Sequence, residues 1–268
     1  MPQIEDFPQG VVLMTSHRIE IAMRIPGPWA DGKMLAQAIS GDCNLSGDSL
    51  VLPDGSQVEL HIRPRDSQFA DVFKSSCRRE PTSKELQQVQ NYRLQVCLAG
   101  PGGSMESASA MMRSALPLLQ AGGAGVFIDN SALSFGASDW SKMAEFCDAD
   151  ALTFGLVNII RSDQDIYTIG MQVLGQPDLI MPIKSAGEGG SLIIDLMLKT
   201  ATSGQSFEDG QKMELPTGQS FRVRKIPDED FPAGSPMHNP WGRHQLSSER
   251  SANKSLSQMN LVRNRLRP

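Results

Sequence analysis

Between Arg18 and Ile25 the chain alternates, with Ile19, Ile21, Met23 and Ile25 apolar and Arg18, Glu20 and Arg24 charged. Side chains two apart share a strand face, so this period predicts a half-buried strand within residues 11–25. Pro26-Gly27-Pro28 ends it. A helix is expected over residues 31–39, where Met34, Leu35, Ala38 and Ile39 recur at helical spacing. Leu50 to Leu52 and Val58 to Ile62 then read as a hairpin turning at Asp54-Gly55. The first unit is β-α-β-β.

The same order returns later. An apolar run over 179–183 leads to a helical stretch over 191–202, then Met213 to Leu215, Pro216-Thr217-Gly218-Gln219 and an alternating Phe221 to Ile226. Leu52-Pro53-Asp54-Gly55 and Leu215-Pro216-Thr217-Gly218 occupy equivalent places. Two such units, over 11–77 and 152–231, predict pseudo-symmetric ferredoxin-like halves; independent arrival at a proline-glycine hairpin is the alternative. Between them, residues 66–76 read as a helix with Phe69, Val72 and Phe73 inward, and residues 77–90 as a polar connector ending in a helix capped at Thr82 or Ser83. A central unit over 91–150 follows. Its strand 93–98, helix 104–119 and strand 126–129 should form a right-handed crossover joining a parallel pair. A short helix opening at Ser138 and a strand over 152–160 complete the body. The expected fold is α+β: mixed sheet with helices on one face, one domain over 1–231, and a flexible tail over 232–268.

Charge sharpens that boundary. Of 25 basic and 30 acidic residues, six basic and one acidic fall in 232–268, so an acidic body of net −10 carries a tail of net +5. The tail is rich in Gly, Ser, Pro and Asn, and only 256–266 there has helical spacing of apolar residues; a protein partner bound through this basic segment is the expected contact. The acidic body argues against nucleic acid as its partner. No apolar run approaches membrane-spanning length and the acidic N-terminus lacks signal-peptide character, so a cytoplasmic protein with no membrane contact is expected.

Two strand-to-helix corners share one pattern: Ala99-Gly100-Pro101-Gly102-Gly103-Ser104 and Ala186-Gly187-Glu188-Gly189-Gly190-Ser191. Glycine permits a tight turn, serine suits a helix cap, and free amides at a helix start favour an anion. Gly102, Gly103 and Ser104, or Gly189, Gly190 and Ser191, are therefore candidate ligands for a phosphate or carboxylate. No lysine follows either corner, which separates both from a P-loop, and capping alone explains the serines. Asp129 ends a strand, where open α/β sheets place reactive groups, although Asp129-Asn130-Ser131 also suits a turn. Cys97 lies near the first corner within an apolar strand and reads as an inert thiol rather than a nucleophile. Cys43, Cys77, Cys97 and Cys147 form no CxxC pair, and the histidines show no tight metal spacing, so neither metal nor cofactor is expected. His238 to His244 is an odd polar cluster without a ligand set.

Arg93-Leu94-Gln95-Val96, the Gly-Ala-Gly-Val-Phe-Ile-Asp strand with Ser138-Asp139-Trp140, and Tyr167-Thr168-Ile169-Gly170-Met171-Gln172-Val173-Leu174-Gly175-Gln176-Pro177-Asp178-Leu179 resemble the middle of a bacterial family defined only as a domain of unknown function. The resemblance covers roughly residues 90–200. It implies a soluble bacterial protein with an interaction role, and it carries no catalytic residues. The leading expectation is a non-enzymatic interaction or regulatory module. The alternative is a small-ligand binder or hydrolase that holds an anion at the glycine corners.

Overall fold

The computed structural model describes residues 19–39, 41–187, 190–214 and 220–249. Strand β1 (Glu20–Gly27) buries Ile21, Met23 and Ile25 completely, as its alternation predicts. Asp31 caps α1 (Gly32–Ala38) by accepting the Met34 amide, which satisfies one of the helix's unpaired N–H groups. Strands β2 (Asn44–Ser46), β3 (Ser49–Val51) and β4 (Gln57–Pro64) form a meander. Its second turn is held by Asp54, which accepts the Ser56 amide and hydroxyl. Helices α2 (Phe69–Ser75) and α3 (Ser83–Gln90) follow, the latter opened by a capping box between Thr82 and Glu85. Strand β5 (Leu94–Pro101) leads to α4 (Met105–Ser114) and α5 (Leu116–Gln120). The expected single helix breaks at Ala115, because Pro117 begins a new helix where its missing N–H costs nothing.

With β6 (Gly125–Ile128) and β7 (Leu133–Gly136) the first sheet is complete, in the order β2-β3-β4-β5-β1-β6-β7, with every neighbouring pair antiparallel. Strands β5 and β6 run the same way, but β1 lies between them, so the expected parallel pair is split. Helices also occupy both faces, which corrects the one-sided expectation. Val126 and Ile128 join the main core, while Phe127 between them joins Phe69, Phe73, Val89 and Tyr92 beneath α2 and α3. A strand buried on both sides needs apolar residues at every position, and β6 has them.

Helix α6 (Ala137–Phe146) opens where expected, but α7 (Ala149–Leu156) replaces most of the strand read over 152–160. Asp148 accepts the Ala151 amide as its cap, and Leu152 and Leu156, four apart, are buried. Only β8 (Asn158–Arg161) remains of that strand. Strands β9 (Asp165–Ile169) and β10 (Asp178–Pro182), helix α8 (Ser191–Ser203), and strands β11 (Lys212–Glu214), β12 (Ser220–Ile226) and β13 (Arg243–Glu249) make the second sheet, ordered β11-β12-β13-β10-β9-β8. The described fold is therefore α+β with two sheets. Among the described residues no helix is long and apolar enough to cross a membrane.

The boundary at 232 is also corrected. Strand β13 lies inside the second sheet, antiparallel to β12 and parallel to β10, with Leu246 fully buried. Polar residues that read as a solvated linker instead form a buried network. Asp228 accepts the Asn239 amide (2.9 Å) and the Arg243 guanidinium (2.9 Å), and the Asn239 side chain donates to Asp178 (2.8 Å) and to the Gln176 carbonyl (3.0 Å). The expected strand residues 11–18, the turn 216–219 and the expected helix over 256–266 lie outside the described residues.

Both sheets place a late strand, β5 or β13, between a hairpin and an early strand, β1 or β10. The directions differ: β5 is antiparallel to β1, whereas β13 is parallel to β10. The extra strand β2 after α1 reverses the sense of the first hairpin relative to the second.

Candidate functional site

The first glycine corner binds protein rather than presenting free amides. Gly102 N–H donates to the Ile19 carbonyl (2.9 Å) and Gly103 N–H to the Val173 carbonyl (2.9 Å). Ser104 caps α4 by accepting the Ser107 amide, as expected for that residue type. Gly103 has φ +86°, and a Cβ on Gly175 would come 2.4 Å from its carbonyl oxygen. The glycines thus serve a close backbone crossing between this corner and the 171–174 turn. At the second corner a 3-10 turn, Ile183–Ser185, intervenes before α8. Gly190, with φ +82°, holds the cap position without any side-chain cap, and Ser191 is already inside the helix. Gly189 lies outside the described residues. Gly190 packs towards Ile166 and Arg161, Gly103 towards Ile19 and Trp241, so the two corners do not face a common hollow.

Asp129 forms a two-point pair with Arg24, at 2.6 Å to Nη2 and 2.9 Å to Nε. Its carboxylate is therefore engaged in joining the end of β6 to β1. Neighbouring Asn130 accepts the Ala22 amide and donates to the Glu20 and Pro236 carbonyls, which pins the incoming C-terminal segment. These residues help to wall a hollow of about 640 Å³ with Gln172 and His238. His238 Nδ1 sits 3.0 Å from the Phe231 carbonyl and 3.6 Å from Asp228, so the odd histidine cluster is tied into the fold. His244 is buried against Phe207, and burial depresses its pKa to about 4. Among the described residues no group of three His, Cys, Asp or Glu side chains is placed to hold a metal.

Cys97 is not turned into the core. It is half-buried on the opposite face, in register between Arg24 on β1 and His61 on β4. Burial pushes its thiol pKa up, although Arg63 and Arg24 favour the thiolate. His61 is engaged with Glu59 at 2.6 Å. The row therefore brings a histidine beside the cysteine but leaves the thiol protonated at neutral pH.

A second concavity, of about 650 Å³, opens where the edge strand β7 of one sheet approaches the edge strand β8 of the other. Leu133, Phe154, Ile159, Ile194 and Met197 give it an apolar lining. Met197 and Leu133 are buried, whereas Ile194 at the mouth is 38 % exposed. An exposed isoleucine on a helix facing a cleft is surface whose burial would stabilise a complex. Arg78 forms one wall. Its guanidinium lies 4.7 Å from the centre of the Phe154 ring and donates to the Phe154 and Val157 carbonyls, both at 2.7 Å. It thus closes the carbonyl end of α7, where a cation is favoured by the helix dipole. Burial lowers its pKa, with no carboxylate opposing that effect. Arg161 and Asp150 stand at the rim. Cys77, also in the lining, accepts the Ser134 hydroxyl at 3.2 Å, and its thiol pKa is raised by burial.

None of these lining residues was prominent in the sequence. They come from five separate stretches, and the only local signal is Arg78-Arg79 in the connector before α3. No protein-family model, no curated protein and no solved structure matches this chain.

Proposed function

We propose that this chain is a non-enzymatic binding protein of the bacterial cytoplasm, and that its receiving surface is the cleft between β7 and β8. The observation that carries the reading is the cleft itself. Its volume of about 650 Å³ suits a compact ligand, and it combines an apolar lining with an exposed isoleucine at the mouth. The thiols and the nearest histidine are engaged or protonated, which favours recognition over chemistry. The alternative placement of a ligand at the first glycine corner loses support, because Gly102 and Gly103 donate their amides to carbonyls. A partner contact through the basic tail would now begin beyond β13. A ferredoxin-like, duplicated origin for the two sheets belongs to the same reading. It is supported by the shared insertion of a late strand and opposed by the direction of β13.

The reading is tested with the neutral apolar dye Nile red. Saturable one-to-one binding is expected, and the exposed substitution Ile194→Glu should weaken it at least about tenfold while leaving the urea midpoint unchanged. Binding unaffected by Ile194→Glu, or no saturable binding, would reject the cleft as the receiving surface.

A further inference from the structure

The polar groups around this cleft are unequally matched, and that inequality specifies its occupant. Arg78 is largely removed from water, yet its two hydrogen-bond partners are neutral carbonyls. Its charge is oriented, and no carboxylate among the described residues pairs with it. Phe154 is flanked by a second guanidinium, that of Arg79, at 5.4 Å from its ring centre. Arg79 has an acidic partner, Asp139, at 3.9 Å. Arg161, on the last residue of β8, has no carboxylate within salt-bridge distance among the described residues. Asp150, the one acidic residue among the described lining residues, is exposed in the first turn of α7. It is already favoured there by the positive end of that helix. Among the described lining residues, Arg78 and Arg161 against Asp150, the cleft therefore holds an apolar floor under an excess of positive charge, and low-dielectric walls strengthen that field for anything seated between them.

We propose that the cleft binds a small amphipathic carboxylate, with its hydrocarbon part against Phe154, Ile194 and Met197 and its carboxylate at Arg161. This inference rests on the reading of the cleft as the receiving surface and adds the chemical class of its ligand. A neutral apolar ligand would leave the arginines uncompensated in a partly dehydrated site. A cationic amphiphile would be repelled by them. An inorganic anion would gain the charge contact but leave the apolar floor wet. Only an ion with a hydrocarbon body uses both features, and a chain of eight to ten carbons is of the size that a cleft of about 650 Å³ accommodates.

The probes are decanoate, decanol and decyltrimethylammonium, each competed against Nile red on the full chain at pH 7.5. Decanoate should displace the dye at concentrations at least about fivefold lower than decanol, and the ammonium should be weakest. Arg161→Gln should abolish the preference for decanoate over decanol without altering decanol itself. Asp150→Asn, which removes the opposing rim charge, should strengthen decanoate alone, and added salt should weaken it. Equal displacement by decanoate and decanol, or a preference that survives Arg161→Gln, would overturn the carboxylate assignment while leaving the cleft an apolar site. Failure of Nile red to bind in the cleft would instead remove the reading on which the assignment stands.

Discussion

Asp178 offers the sharpest test of how the C-terminal segment is held. Its carboxylate is 2 % exposed and accepts hydrogen bonds from Asn239 Nδ2 (2.8 Å), Thr168 Oγ1 (2.9 Å) and the Met171 amide (3.2 Å). Burial nevertheless dominates and pushes its pKa from the ordinary 3.8 up to about 7, against the opposing effects of those donors and of Arg243. An acid whose pKa is raised on folding binds its proton more tightly in the native state. Its contribution is therefore most favourable at low pH and is lost as pH rises from about 4 to about 7. The full difference corresponds to about 4 kcal/mol, of which about 2.5 kcal/mol falls between pH 5 and pH 7.5. Urea unfolding of the protein and of Asp178→Asn at several pH values isolates this contribution, because other titrating groups cancel in the difference between them. The asparagine variant carries no titrating group at 178, so the native protein should lose about 2 to 3 kcal/mol relative to it over that interval. A difference that stays constant with pH would show that Asp178 is ionised throughout, and that its three donors outweigh its burial.

Leu246→Ala should cost about 2 to 5 kcal/mol in urea unfolding, since Leu246 is fully buried on a strand paired on both sides; a loss below 1 kcal/mol would place β13 outside the core. Gly175→Ala should cost more than the usual glycine-to-alanine change. Its φ is +77° and the new methyl would meet the Gly103 carbonyl oxygen at 2.4 Å, so a neutral outcome in thermal unfolding would refute the close crossing.

Much of the first sheet was legible because local pattern and tertiary burial agree there. Ile21, Met23 and Ile25 alternate and are buried, and Thr82-x-x-Glu85 reads as a cap and is one. The failures occur where the same letters serve a different environment. Residues 152–160 are apolar enough for a strand, and only Asp148, four residues upstream of that run, signals that a helix starts before it. Residues 232–249 look like a linker by composition, because composition counts polar residues without asking whether they find one another. Asp228, Asn239 and Arg243 do, across up to 15 positions, and a satisfied polar network can be buried where isolated polar groups cannot. At the first glycine corner the close approach is made by the chain's own backbone, at Gly175, which is a fact of tertiary structure; at the second, Gly190 meets the Ile166 and Arg161 side chains instead. The cleft was invisible for a related reason, since Arg78, Phe154, Arg161 and Met197 belong to different elements and acquire meaning only at the meeting of two sheet edges.

The Asp178 network and the walls of the cleft are mechanically joined. Thr168 on β9 donates to Asp178 and accepts the Leu179 amide, which fixes β9 against β10 and the C-terminal segment. On its other side Thr168 is in register with Ile159 of β8, a residue of the cleft lining. The strand that presents Asn158, Ile159 and Arg161 is thus positioned by a single intervening strand whose register depends on a buried, titrating carboxylate. Edge strands have neighbours on one side only, so β8 takes its position from β9 and from the contacts that cross the cleft. Those contacts are the Asn158 side chain donating to the Ser131 carbonyl and Arg78 donating to the Val157 carbonyl. Under the proposal above, an anionic ligand at Arg161 would add a tie at the far end of the same strand, so that occupancy of the cleft and burial of Asp178 would act on one element from its two ends.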